Sequence, residues 1–475
     1  MGGGTISSSA NVQMNAQTSK SKAFAMLTLL FFMWGFITCL NDILIPYLRE
    51  VFALNYFQAM LVQFAFFGAY FIGSLVYFIV STTIGDPITK IGYKNGIIIG
   101  LVISSIGCAL FVPAAQFLLY GFFLAALFCL GIGLTVLQIA ANPYVAILGS
   151  PETASSRLNL AQGFNSFGTT IAPVIGGFLI FSFFGGENVL GADAVKIPYL
   201  GLSALFLLLA LVIKLTDLPV LSSSEEIPGG AGALKYRHLV LGMVGIFMYV
   251  GGEVAIGSLL VNFFGLENIV GLSEGEASAY LSFYWGGAMI GRFLGAISMS
   301  NLPSNKKLAT MLGTAVAVFL LIFGVIYTNT GIDIQTVLPF VGIMILNLLA
   351  FMAGKSSASR TLAVFSSVVV LLLLIAISTD GLIAFWAIIG IGLFNSIMWS
   401  NIFTLAIDGL GKYTSQGSSL LVMAILGGAL IPLMQGALAD WVGVQYSFAL
   451  PIICYLYLFF YGVMGHKKTV NPLEA

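Results

Sequence analysis

Phe36-Ile-Thr-Cys-Leu-Asn-Asp-Ile-Leu-Ile-Pro46 is the stretch on which the reading of this chain turns. It sets Asp42, next to Asn41, inside an apolar run that begins near Ala23 and is long enough to cross a bilayer. An ionisable side chain at that depth costs about 2.5–3.5 kcal/mol even on the lenient insertion scale, so it faces a cavity or a partner and not lipid. Asp42 is therefore the first candidate for a group whose charge changes as the protein works.

The same texture runs outward to both ends. The chain is 59% hydrophobic and 8% charged, with a mean hydropathy of +1.04; a soluble domain carries about 25% charged residues. Apolar runs recur at 24–47, 58–83, 96–113, 117–148, 158–182 and 198–216, then at 238–264, 277–300, 308–328, 336–353, 361–378, 382–407, 417–438 and 444–464. This predicts an all-α membrane protein of fourteen spans. Residues 1–22, rich in Gly, Ser, Asn and Gln, are expected to be a disordered tail with no cleavable signal. Zero net charge gives no sign of a nucleic-acid partner. Cys39, Cys108, Cys129 and Cys454 fall in apolar runs without metal-site spacing, so neither a metal nor another cofactor is expected.

Basic residues test the count of spans. With the N-terminus inside, fifteen of the eighteen Lys and Arg residues fall on cytoplasmic segments, Arg292 lies within a span, and only Arg49 and Lys196 lie outside. This is a strong positive-inside bias, and losing one span would invert every later loop. Both termini are expected in the cytoplasm.

Six spans, a polar connector and more spans describe two packed bundles. Asp42 and Glu253 are each the only acid deep in the first span of its half. Transporters built from repeats place their site between the halves near the midplane. Phe32-Met-Trp-Gly-Phe-Ile-Thr-Cys-Leu-Asn-Asp-Ile-Leu-Ile-Pro46, Leu137-Gln-Ile-Ala-Ala-Asn-Pro-Tyr144, Glu152-Thr-Ala-Ser-Ser-Arg-Leu-Asn-Leu-Ala-Gln162, Glu253-Val-Ala-Ile-Gly-Ser258 and Gly392-Leu-Phe-Asn-Ser-Ile-Met398 resemble the major facilitator superfamily, specifically its fucose–galactose–glucose symporter family, and within it the glucose/galactose branch. The resemblance implies the major facilitator fold in a bacterial inner membrane. It also implies twelve spans, so two are extra. The expected layout is a tail at 1–22, a six-helix bundle at 23–218, a connector at 219–237, a second bundle at 238–300 and 354–465, an inserted hairpin at 301–353 and a tail at 466–475.

The resemblance also exposes a departure. In the fucose permease branch a glutamate that takes part in proton coupling stands where this chain has Gln138. An amide carries no charge, so Asp42 would do more of the coupling, and Na⁺, ligated at Asp42, stands beside H⁺ as a coupling ion.

Sugars present hydroxyls that both donate and accept, and Asn and Gln amides match both functions. In hydrocarbon such amides are unfavourable unless they meet one another or a wet cavity. Gln138 and Asn142 lie four apart on one helical face, with Pro143 expected to break the helix locally. Asn159, Gln162, Asn165 and Ser166 form a second polar stripe within about 120° of arc. With Asn41 and, from the second half, Asn395, these amides are the candidate sugar contacts; helix–helix hydrogen bonding is the competing explanation. Asp42 and Glu253 are the candidate ion-coupling groups, Glu253 either paired with Arg292 or lining the cavity. Gly85-Asp-Pro-Ile-Thr-Lys-Ile-Gly-Tyr-Lys94 resembles the superfamily's loop motif, so Asp86, Lys90 and Arg292 are the candidate gating charges.

The expectation is a monomeric, cation-coupled hexose importer, glucose and galactose favoured, with N-acetylglucosamine and fucose open. An uncoupled facilitator or exporter and a non-transporting sugar sensor are the alternatives. His238 and His466 have no Cys or His neighbours in sequence to build an enzyme site.

Overall fold

The computed structural model describes residues 23–40, 44, 47–48, 51–54, 56–177, 179–180, 193–216, 218, 230–272, 274–330 and 332–468. Within them the chain is nearly all helix, as hydrocarbon demands: a helix pairs its own backbone N–H and C=O groups where no water can. The first bundle holds α1 (Ala23–Leu40), α2 (Tyr56–Thr83), α3 (Tyr93–Ala109), α4 (Tyr120–Ile147), α5 (Ala154–Gly177) and α6 (Lys196–Leu215). The second holds α7 (Arg237–Phe264), α8 (Glu274–Ser298), α9 (Ser304–Thr330), α10 (Leu338–Gly354), α11 (Ala358–Ser378), α12 (Gly381–Asn395), α13 (Met398–Ile407), α14 (Thr414–Met423), α15 (Gly427–Val442) and α16 (Ala449–Phe460).

Among the described residues, twelve helical stretches are long and apolar enough to cross a membrane. α5 and α8 are as long but less apolar, and they pack on each other across the line between the bundles. With these two, each of the fourteen expected spans has its helix.

The bundles share a packing plan. α3 lies against α4 and α6, as α11 lies against α12 and α16; α2 packs on α4, as α8 packs on α12. Between bundles, α2 meets α14 and α8 meets α5. Glycine permits the equivalent close approaches. A Cβ on Gly168 of α5 would collide with the Phe32 carbonyl of α1, and one on Gly427 of α15 with the Phe247 carbonyl of α7. α9 and α10 stand outside this plan: they pack on α8, α11 and α12, all in the second bundle.

Two spans treat their irregularities differently. α4 runs unbroken through Pro143, so the expected local break is not there. A proline removes only its own N–H, and contacts from α2, α3 and α14 hold α4 together around the carbonyl that lacks its donor. The span carrying Asn395 is interrupted at Ser396–Ile397 by a two-residue turn between α12 and α13, whose backbone stays in the right-handed helical region.

Thirteen of the fifteen described Lys and Arg residues sit at one end of the helices, the end that carries Gly230–Tyr236 of the connector; Lys196 sits at the other end and Arg292 mid-helix. At this connector end Lys94 Nζ donates to the Lys214 and Thr216 carbonyls (3.0 and 2.8 Å), and Lys468 pairs with Asp408 at 2.8 Å. Residues 1–22, 219–229 and 469–475 lie outside the described residues.

Candidate functional site

Gln138 and Asn142 share a face of α4, buried at 2% and 0% exposure. Among the described residues, neither the Gln138 Oε1 nor either side-chain atom of Asn142 has a hydrogen-bond partner. A buried polar group left this way costs about 1–3 kcal/mol. Tyr70 of α2 is buried near Trp34, Thr38 and Gln138, so aromatic and amide groups converge there from α1, α2 and α4.

The α5 stripe is committed to neighbours over part of its length. Asn159 Nδ2 donates to Asn401 Oδ1 of α13 (3.3 Å) and approaches Met299 Sδ (3.8 Å), tying the bundles together. Asn165 Nδ2 donates to the Phe31 carbonyl of α1 (3.0 Å), a bond inside the first bundle. Gln162 and Ser166 are buried beside them, and Ser166 Oγ accepts a hydrogen bond from Arg292 Nη1 of α8.

The second bundle centres on Glu253 of α7, itself buried. Tyr249 Oη donates to Glu253 Oε1 at 2.7 Å, one helical turn away. Arg292 Nη2 stands 4.0 Å from the same oxygen, so Tyr249 is the carboxylate's close partner and Arg292 a longer ion pair. Asn395 is partnered at both side-chain polar atoms and at its carbonyl. Its Nδ2 donates to Tyr284 Oη (2.9 Å), its Oδ1 accepts from Tyr455 Oη (2.7 Å), and its carbonyl accepts from Tyr249 Oη (3.1 Å). Arg292 Nε donates to the next carbonyl, Ser396, at 3.3 Å. The turn between α12 and α13 is thus gripped by α7 and α8.

The connector end is stitched shut by small hydroxyls. Asp86, 1% exposed, caps the short helix Pro87–Ile91 through the Thr89 N–H (3.2 Å). Its carboxylate also accepts from Tyr77 (2.8 Å), Ser81 (3.2 Å) and, across the bundles, Ser415 (2.5 Å). Lys90 does not pair with Asp86; its Nζ donates to the Ile84 carbonyl (2.7 Å). Asp86 is met by hydroxyl donors instead, because it is buried under α14 whereas Lys90 reaches outward. Ser155 and Thr404 bond at 2.6 Å, and Ser156 donates to the Ala296 carbonyl at 2.6 Å. Gln416 donates to Ser81 and Gly230 (3.2 Å each) and accepts from the Ala233 N–H (2.8 Å), and the Gly230 N–H donates to the Thr82 carbonyl (2.7 Å), so the connector is bonded to both bundles. Beyond this stitching lies a cavity of about 710 Å³, lined by Thr89, Glu152, Ser155, Thr404, Asp408 and Lys412 among others.

Hydrogen bonds between described residues of the two bundles lie at mid-membrane (Arg292–Ser166, Thr170–Met289) or toward the connector end. Among the described residues no group of three or more His, Cys, Asp or Glu could hold a metal ion. Asn41 and Asp42 lie outside the described residues. Glu253, Arg292 and Asn395 are brought together; Gln138 and Asn142 form a separate group. Tyr70, Tyr249 and Tyr455 do not stand out in the sequence as polar groups of a site. Tyr249 had a signal, its i, i+4 spacing from Glu253; Tyr70 and Tyr455 meet their partners only through the fold.

Comparisons with known proteins give one consistent picture. The family described as Major Facilitator Superfamily matches residues 23–358. The chain is 47% identical over 470 residues to a protein of Brucella abortus biovar 1 (strain 9-941) named glucose/galactose transporter, covering 96% of this chain and 98% of that one. It is 31% identical over 473 residues to the L-fucose-proton symporter of Escherichia coli (strain K12), with 94% of each covered. A crystal structure of a Major Facilitator Superfamily transporter in the outward conformation aligns with a TM-score of 0.75 at 30% identity, covering 95% of this chain and 100% of that one.

Proposed function

The chain belongs to the Major Facilitator Superfamily, and from that premise we propose that it is a cation-coupled hexose importer working by alternating access between its two bundles. The observation that carries this reading is the pair Gln138 and Asn142: buried carboxamides with open hydrogen-bonding capacity, with Tyr70 near Gln138. Carboxamides pair with sugar hydroxyls as donor and acceptor at once, and an aromatic ring covers an apolar sugar face. The name of the Brucella relative favours glucose and galactose; that of the E. coli relative favours H⁺. Gln138, which cannot be charged, keeps Na⁺ as the rival ion.

Gln138, Asn142, Gln162 and Asn41 form the sugar's main contacts. Asn159 and Asn165 join them when their present bonds to Asn401 and Phe31 open, and Asn395 does so when Tyr284 and Tyr455 release it. Asp42 and Glu253 carry the coupling charge. A neutral Glu253 would donate its own proton to Tyr249, freeing the Tyr249 proton for the Asn395 carbonyl alone. Protonation thereby tightens the α12–α13 turn and loosens Arg292, whose other nitrogens hold Ser396 and Ser166. Asp86 and Arg292 are gating residues through bonds that cross the bundles; Lys90 anchors the loop beside Asp86. The connector end is the cytoplasmic one, supported by its concentration of Lys and Arg, and the protein is a monomer in a bacterial inner membrane. Residues 301–353 are an inserted hairpin, supported by the absence of a counterpart to α9 and α10 among the described helices of the first bundle.

The test is uptake into proteoliposomes of labelled glucose, galactose, fucose and N-acetylglucosamine under imposed H⁺ or Na⁺ gradients. The expected result is accumulation of a hexose under one gradient; a membrane potential of 100 mV would drive roughly 50-fold accumulation for one charge per sugar. Equilibration without accumulation would make the protein a facilitator, and binding without flux a sensor.

A further inference from the structure

α10 is built of apolar residues except for Asn347. Its neighbours Ile345, Leu346 and Leu349 are exposed to the surroundings at 55%, 41% and 55%, as a helix facing lipid would be, whereas Asn347 is 0% exposed. It points inward between α11 and α12, and its Nδ2 donates to the Leu393 carbonyl at 3.1 Å. In an unbroken helix that carbonyl would take the amide of residue 397. Here it lies where α12 gives way to the turn before α13, and it also accepts from Ser396 Oγ at 2.7 Å. The other carbonyls of the turn are held from the opposite side, Asn395 by Tyr249 and Ser396 by Arg292.

We propose that Asn347 is a positioning residue for this turn, and that the α9–α10 hairpin is a brace that sets the bend between α12 and α13. The alternative for the hairpin is a lipid-facing appendage that serves only to fill the bundle's flank. Two features speak against that. The one polar group on α10 is spent on a carbonyl of the break, two residues from Asn395. Its Oδ1 has no partner among the described residues, so that bond is its one described hydrogen bond. Arg292 joins the same turn to Ser166 of the first bundle, so a turn loosened on its outer side transmits slack to the contact between bundles. The consequence for transport rests on the hexose-import reading; the consequence for the turn does not.

Both are testable with Asn347→Leu, which places a branched apolar side chain in a membrane helix and removes the donor. In lipid nanodiscs, amide hydrogen exchange of residues 395–399 should quicken at least about fivefold relative to wild type while α11 is unchanged. Asn347→Gln, which keeps a carboxamide donor, should restore at least half of the protection. In proteoliposomes, Asn347→Leu should lower turnover about three- to tenfold with the sugar half-saturation constant within about twofold of wild type. Leu346→Ala, on the exposed side of the same helix, should change neither. Unaltered exchange in the turn would overturn the proposal whatever the transport result. Faster exchange with normal turnover would leave Asn347 holding the turn but overturn its part in transport. A wild-type protein that carries no hexose would sink the importer reading, while the exchange experiment would still decide whether the hairpin braces the turn.

Discussion

Asn142 and Asn395 are asparagines buried to 0% and 1% exposure, one in each bundle, yet their surroundings are opposite. Asn142 has no hydrogen-bond partner among the described residues. Asn395 has Tyr284 and Tyr455 on its side chain and Tyr249 on its carbonyl. An amide partnered at both side-chain atoms stiffens the structure around it; one with open capacity is what the proposed sugar contact requires. On the proposed function the contrast divides the labour: Gln138 and Asn142 of the first bundle supply hydrogen-bonding capacity, and the second holds a network around a carboxylate and the turn between α12 and α13.

The largest effect that would sharpen this contrast is expected at Gln138. Gln138→Leu should raise the hexose half-saturation constant at least about tenfold, the loss of about 1.4 kcal/mol that one good polar contact supplies, with unfolding stability unchanged or increased. Asn395→Leu should behave in the reverse way. It leaves Tyr284 and Tyr455 without their amide partner, so stability in mixed micelles should fall by about 1 kcal/mol while the half-saturation constant moves less than for Gln138→Leu. If the two variants exchange these phenotypes, the division is wrong. Glu253→Gln keeps an acceptor for Tyr249 but fixes the charge; it should reduce uphill accumulation several-fold and leave exchange of sugar across the membrane measurable. The smallest effect is expected at the gate. Ser415→Ala removes one bond between bundles to Asp86, worth about 0.6 kcal/mol, and should shift the closed-to-open population at the connector end by roughly threefold, read by distance measurements between spin labels on α2 and α14.

Much of the fold could be read in advance because hydrocarbon imposes it. Runs of apolar residues become helices wherever backbone groups have no water, and the placement of Lys and Arg fixes their alternation. α5 and α8 show the limit of that rule. Their apolar runs and the alternation of charge mark them as spans, yet mean hydropathy alone passes over them, because the residues that join the bundles are polar. The site was harder to read. The i, i+4 pair Gln138 and Asn142 was visible on one helix. The saturation of Asn395 was not, since Tyr284 and Tyr455 come from spans 111 and 60 residues away in sequence. Pro143 suggested a break that tertiary packing prevents, while the real break at Ser396–Ile397 contains neither proline nor glycine to announce it. Asn347 carried a signal, a lone amide in an apolar helix, but its meaning depends on which carbonyl it meets.

Coupling and recognition are best separated on one set of vesicles, by measuring counterflow exchange and uphill accumulation of a labelled hexose for wild type, Gln138→Leu and Asp42→Asn. Gln138→Leu should lose both at low sugar, because recognition is weakened. Asp42→Asn should exchange sugar while accumulating none above equilibrium, because the site survives and the switchable charge does not. Wild-type accumulation by Asp42→Asn, or an unchanged half-saturation constant for exchange in Gln138→Leu, would contradict the account.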